Sequence, residues 1–248
     1  MKFSVLKAGR ATRRTRERIG DTERMFIDLL ARPGDQWDVH DVEHGEFPES
    51  VNDYDGFVIS GGPASVNDQD PWVLRLLETV RQAHRENIFL LGICLGHQVV
   101  ATALGGAAEV NPKGWDIGLK EVELTPQGRE LAALMGAPQP LRILETHRDV
   151  ITKLPPGAVH LAQSELTLYE MFHIGESVLC LQGHPEMDNE EVREIISRRP
   201  ESLPEQVAET GLASLSRQPH RAFLQKLLQN FLQGKGLQQQ GAIGQKAV

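Results

Sequence analysis

Cysteine is scarce in this chain: Cys94 and Cys180 are the only two in 248 residues, and no C-x-x-C pair occurs. That argues against a disulfide scaffold and a thiolate zinc site, and sets the expectation of a reducing, cytoplasmic environment with no metal. Long apolar runs are missing as well. No stretch approaches the roughly 20 residues of a membrane span, so no membrane partner is expected. The opening "MKFSVLKAGRATRRTRERIG" holds only a short apolar run before basic and polar residues take over, unlike a signal peptide. An excess of positive charge is also absent. With 26 Lys+Arg against 34 Asp+Glu the formal charge is −8, which argues against nucleic acid as a partner. The local exception, Arg10, Arg13, Arg14, Arg16 and Arg18, reads as a solvated loop or helix face rather than a phosphate site. There is no internal repeat.

What is present is most concentrated in "IFLLGICLGHQVVATALGG", Ile88 to Gly106. A cysteine in apolar company is usually a small buried hydrophobe. Here Ile88, Phe89, Leu90, Leu91 and Ile93 form a short continuous apolar run, the pattern of a parallel strand covered on both faces. Val99, Val100, Ala103 and Leu104 then recur at helical spacing until Gly105 and Gly106. Gly92 and Gly96 flank Cys94 on either side of the turn. Gly-x-Cys-x-Gly between strand and helix is a nucleophile elbow with sulfur in place of serine oxygen. The turn sets Cys94 at a helix N-terminus, whose free amides and dipole favour a thiolate.

Elsewhere strand-like and helix-like segments alternate. "FSVLKA", "WDVHDV" and "DGFVISGGP" read as strands; Thr22 to Ala31 and the segment from Asp70-Pro71 to about Glu86 read as helices. That order implies an α/β sandwich with a parallel sheet, whose ligands sit beyond the carboxyl ends of its strands. After Gly106, "DIGLKEVELT", "LRILETHRDVITKL", "AVHLAQSE" and "SVLCLQGHPE" are strand-like, with "PQGRELAALMG" helical between them. Helical period returns from Asn189 to about Leu232, with "SLPEQVAETGL" joining two helices. The expected organisation is one domain over 1–232, with 189–232 as a helical appendage and a disordered Gly/Gln-rich tail over 233–248.

A nucleophilic cysteine needs a base, which need not be near in sequence. Of nine histidines, His184 follows the apolar run "SVLCLQG" and so sits at the carboxyl end of a strand. If that strand and the one before Cys94 are both central and parallel, the two side chains emerge at the same sheet edge. Glu186, two residues on, can accept the other imidazole N–H, as a triad's third member does. His97, three past Cys94, would help shape the site while pointing away from the tip. An oxyanion formed at an acyl carbon requires preorganised donors. "ISGGP" offers backbone N–H groups at Gly61 and Gly62, and an elbow supplies the amide of the next residue, Leu95.

"GICLGHQ", "GHPE" and "SGGP" together resemble the class I glutamine amidotransferase domain, the Cys-His-Glu family found in GMP synthase and carbamoyl phosphate synthetase, over roughly Asp55 to Met187. The resemblance implies a flavodoxin-like α/β sandwich, Cys94 as nucleophile, His184 as base, Glu186 as orienting acid, and Gly62 with Leu95 as oxyanion donors. It implies Gln98 near a bound γ-glutamyl group, with Gly61 beside it. "THRDVI" is similar to the GMP synthase-like branch, where a histidine and aspartate spaced like His147 and Asp149 lie near substrate; Arg148 departs from the glycine common there. "YDGFVISG", "DPWVLRL" and "GWDIGL" are similar to stand-alone members such as the cytosolic γ-glutamyl peptidases of plants, which would put Trp115 on the leaving-group side. The implied activity is cysteine-dependent hydrolysis of a small γ-glutamyl amide with no cofactor. The alternatives are a glutaminase passing ammonia to a separate synthase subunit, and a non-catalytic regulatory subunit retaining the fold.

Overall fold

The computed structural model describes residues 1–133, 136–198 and 202–234. Of the expected tail, 235–248 lies outside the described residues. In chain order the elements are β1 (Lys2–Lys7), α1 (Arg13–Ile19), α2 (Thr22–Leu30), β2 (Gln36–Asp41), β3 (Gly56–Ile59), α3 (Pro71–Arg85), β4 (Phe89–Ile93), α4 (Leu95–Ala103), β5 (Ala107–Val110) and β6 (Asp116–Leu124). They continue as α5 (Pro126–Ala133), β7 (Leu141–His147), β8 (Asp149–Lys153), β9 (Ala158–Gln163), β10 (Met171–Ile174), β11 (Val178–Leu181), α6 (Asn189–Arg198), α7 (Glu205–Ser214) and α8 (Arg221–Leu232).

One nine-stranded sheet runs β2-β1-β3-β4-β11-β10-β9-β6-β7. From β2 to β11 every neighbouring pair is parallel; from β11 onward the pairs are antiparallel. Period-two alternation in the central strands loads both faces. Val58, Leu91, Ile93, Leu179 and Leu181 point to one side, against Phe26, Leu29 and Leu30 of α2 and Leu224, Leu228 and Phe231 of α8. Phe57, Ile59, Leu90, Val178 and Cys180 point to the other, against Val73, Leu76 and Val80 of α3 and Val99 and Val100 of α4. The result is a flavodoxin-like three-layer α/β sandwich. Each of these large aliphatic side chains contributes about 1.5–3 kcal/mol by leaving water.

The antiparallel extension has its own cover. Ile117, Leu119 and Leu144 pack under Val192 and Ile196 of α6 and Ala208 of α7. Gly118 lies in the left-handed region at φ +104°, and a Cβ there would stand 2.8 Å from the Cα of Gly211, so α7 rests directly on the β6 backbone.

Several local expectations change. "SLPEQVAETGL" is not a connection: it forms α7, with Pro204 at its N-cap. "LRILETHRDVITKL" is two strands that part at Arg148, β7 in the large sheet and β8 paired with β5 in a small one. The short strands β5 and β10 had no period to read, and α1 is a seven-residue helix.

Because Phe231 is 2% exposed and stacks edge-on against Phe89 at 5.5 Å, α8 shares the core of the parallel sheet. Phe231→Ala should lower unfolding free energy by about 3–5 kcal/mol in urea titrations; a loss below about 1 kcal/mol would mean that α8 is peripheral to the core.

Candidate active site

Cys94 follows the last residue of β4 and serves as N-cap of α4, with φ 53° and ψ −107°. A non-glycine residue in that region is strained by roughly 1–3 kcal/mol and persists only where its surroundings hold it. Here they do. Its N–H donates to Leu181 O at 2.9 Å, its carbonyl accepts from Gln98 N at 3.1 Å, and Gly96 N–H donates to Ser60 O at 3.2 Å. Both flanking glycines are sterically required. A Cβ on Gly92 would sit 2.6 Å from Gly96 O, and one on Gly96 would collide with the Ile59 carbonyl.

The strand after β10 delivers the histidine. β11 pairs with β4 in parallel, Leu181 opposite Ile93, so Cys94 and His184 leave the same sheet edge from adjacent strands. His184 N–H donates to Leu144 O at 2.8 Å, and its Nδ1 lies 2.7 Å from Glu186 Oε1. Arg221, at the start of α8, donates from Nε to Pro185 O at 3.2 Å and holds this loop from below. Both side chains of the pair are buried, 3% and 2% exposed. Burial acts to depress the His184 pKa, but the charges of Glu186 and Cys94 outweigh it and hold the imidazolium well above the ordinary histidine value. Gly61 is the piece that fits between: a Cβ there would stand 2.9 Å from His184 Cε1 and 3.4 Å from Cys94 Cβ.

These groups open into one cleft of about 840 Å³. Gly61, Gly62, Cys94, Leu95, Gln98, Trp115, His147, Asp149, His184 and Glu186 all line it, so the structure brings these ten residues together. A Cβ on Gly62 would collide with the Ala8 carbonyl and stand 3.2 Å from Leu95 Cδ2. Gln98 Nε2 donates to Asp149 O at 2.9 Å, and Asp149 Oδ2 accepts from Ser65 Oγ at 2.7 Å. Trp115 Nε1 donates to Ser202 Oγ at 3.2 Å. His97 faces away: it is fully buried, its Nδ1 is 3.1 Å from Gln182 Oε1, and burial pushes its pKa down to about 3. Cys180 lies beneath the elbow, where burial pushes the thiol up and keeps it protonated.

Other cleft residues had no sequence signal. Met25 and Ile195 add apolar wall, and Arg10 and Arg148 add charge at positions that read as solvated or uncertain. Thr12 and Glu191 meet there from 179 residues apart, Thr12 N–H donating to Glu191 Oε1 at 3.2 Å. Such contacts are tertiary and leave no local spacing. Asp41, Glu43 and His44 hold three ligand-type atoms within 4.8 Å of one another. Lys7 and Arg10 pair with Asp41 at 3.1 and 3.5 Å and His44 bonds it at 2.8 Å, so the group is already an ion-pair cluster.

Residues 24–199 match the family described as glutamine amidotransferase class-I. The chain is 34% identical over 218 residues to gamma-glutamyl peptidase 3 of Arabidopsis thaliana, covering 85% of this chain and 88% of that protein. It is 34% identical over 220 residues to gamma-glutamyl peptidase 4 of the same plant, covering 86% and 88%. A solved glutamine amido transferase from Methylobacillus flagellatus superposes with a TM-score of 0.74 at 26% identity, covering 100% of this chain and 98% of that one. A glutamine amidotransferase from Thermotoga maritima gives the same TM-score at 22% identity, over 94% and 98%, and shares the fold. The matched span, the relatives and the fold agree: this chain belongs to the class I glutamine amidotransferase family.

Proposed function

We propose that this protein hydrolyses γ-glutamyl amide bonds through a thioester on Cys94, and that it favours γ-glutamyl peptides over glutamine. The observation that carries the reading is the meeting of Cys94 and the Glu186-bound His184 across Gly61, at the mouth of one cleft. The kinship with gamma-glutamyl peptidases supports the choice of acyl group. Two unpaired thiols fit a cytoplasmic setting.

In this mechanism the thiolate of Cys94 attacks the γ-carbonyl carbon, and the carbonyl oxygen takes the negative charge. The N–H groups of Gly62 and Leu95 meet that oxyanion. The C–N bond breaks as His184 gives its Nε2 proton to the departing nitrogen, leaving neutral imidazole and a γ-glutamyl thioester. His184 then removes a proton from water, whose oxygen attacks the thioester, and the sulfur leaves as thiolate while glutamate departs. Glu186 holds the ring with Nδ1–H toward itself, so Nε2 faces the reaction. Gln98, His147 and Asp149 line the acyl side; Trp115 lines the leaving-group side.

Cys94→Ala and His184→Asn should each lower glutamate release from a γ-glutamyl peptide by about a thousandfold or more, while Cys180→Ala keeps most of it. Glu186→Gln should cost less, about 10- to 100-fold, since the base remains. The imidazolium form of His184 is the proton donor, so activity falls as pH rises through its raised pKa. Glu186→Gln removes a charge that raises that pKa, and the alkaline limb of kcat/KM should move to lower pH. An unmoved limb, or an active His184→Asn, would remove His184 from its role.

The choice of leaving group rests on Trp115. Trp115→Ala should lower kcat/KM for a γ-glutamyl peptide about tenfold and leave glutamine within about twofold, because only the longer substrate reaches the indole. Equal losses would take Trp115 out of specificity. A wild-type preference for glutamine that a synthase subunit strengthens would instead support an ammonia-supplying subunit.

A further inference from the structure

The elbow that sets Cys94 also sets His97 and Gln98 in the first turn of α4. His97 is 0% exposed, and its ring packs on Phe172 with 5.3 Å between centroids. Gln98 is 3% exposed and lines the cleft. Gln182, just past β11 and two residues before His184, is buried beside both. Its Oε1 lies 3.1 Å from His97 Nδ1 and 3.3 Å from Gln98 Nε2. Gln98 Nε2 also lies 2.9 Å from Asp149 O. Three side chains and one carbonyl therefore tie the first turn of α4 to the segment after β11 and to the start of β8.

The direction of each bond in this group follows from its one fixed member. A backbone carbonyl only accepts, so the Gln98 atom facing Asp149 O is the amide nitrogen. That nitrogen only donates, so the Gln182 atom beside it is the amide oxygen. Turning the Gln182 amide over would set two donors against each other. The oxygen accepts, so His97 carries its hydrogen on Nδ1. Burial keeps the ring neutral, with its pKa pushed down to about 3. Both hydrogens of Gln98 Nε2 are then engaged inside the protein. Its Oε1 has no hydrogen-bond partner among the described residues and is not sealed from the cleft, so Gln98 presents an acceptor there.

We infer that His97 and Gln182 form a positioning pair: His97 Nδ1–H holds the Gln182 oxygen, and that oxygen locks the Gln98 amide with its own oxygen toward the cleft. The pair acts on substrate only through Gln98. Its effect on turnover rests on the cleft being the γ-glutamyl site. Gln98 lines the acyl side, which glutamine and γ-glutamyl peptides share, so the pair serves both substrates alike.

Two NMR measurements on the free protein test the geometry without substrate. The nitrogen-15 shifts of His97 should report the neutral Nδ1–H tautomer, with no titration between about pH 5 and pH 8. An Nε2–H tautomer, or a titration in that range, overturns the proposal. The Gln98 side-chain amide should give two distinct N–H signals protected from exchange. His97→Leu and Gln182→Met break one bond from opposite ends, so either one that folds suffices. Each should speed exchange of a Gln98 amide hydrogen about tenfold. Unchanged protection in a folded variant overturns the positioning role. Kinetics read the consequence. Each variant should raise KM about tenfold for glutamine and for a γ-glutamyl peptide, with kcat little changed, and the double variant should be no worse than the poorer single. An unchanged KM, or losses that multiply in the double variant, overturns the positioning role. A wild type that releases no glutamate would overturn the functional reading alone, since the tautomer and the amide protection are read without turnover.

Discussion

The site depends on one steric constraint: the strand β4 must turn into α4 within a single residue, and that residue is Cys94 at φ 53°. The turn is possible because Gly92 and Gly96 lack side chains where backbone from the same elbow and from β3 comes into contact. Gly61 completes the arrangement by letting the end of β3 approach both Cys94 and His184. Three bare backbone positions therefore fix a sulfur, an imidazole and the end of β3 relative to one another. The strain at Cys94 is offset by the apolar burial of both sheet faces.

Electrostatics divides the titratable groups beneath the cleft by what each is paired with. His184 keeps its charge because Glu186 lies 2.7 Å away, whereas burial strips His97 of its charge, which the hydrogen bond to the neutral amide of Gln182 does not offset. The same burial acts on both rings, and the partner decides the outcome. Cys180 is sealed under Gly92, where burial pushes its thiol up; Cys94 lines the cleft from the N-cap of α4.

Much of this was legible from sequence, for a physical reason. Apolar runs such as "IFLL" and "SVLCL" must be buried on both sides, so their carboxyl ends predict where ligands bind, and Gly-x-Cys-x-Gly names the turn. Adjacent placement of β4 and β11 then brings Cys94 and His184 together, although 90 residues separate them in number. Other features could not be read. β5 and β10 are four residues each, too short for a period. α7 starts at Glu205 behind Pro204 as its N-cap, and its Gly211 is what lets the helix rest on β6. Glu145 carried no signal of its own; it is buried opposite Gly118, and its Oε1 fills the space that Gly183 leaves.

The central claim is a covalent γ-glutamyl enzyme, and its most direct test is to trap it. Wild type mixed with a γ-glutamyl peptide and quenched in acid during turnover should yield, by peptide mass spectrometry, the Cys94 peptide carrying one γ-glutamyl group, with the Cys180 peptide unmodified and the adduct absent from Cys94→Ala. Active enzyme with no adduct on Cys94 under single-turnover conditions, or with the adduct on another residue, would contradict the account.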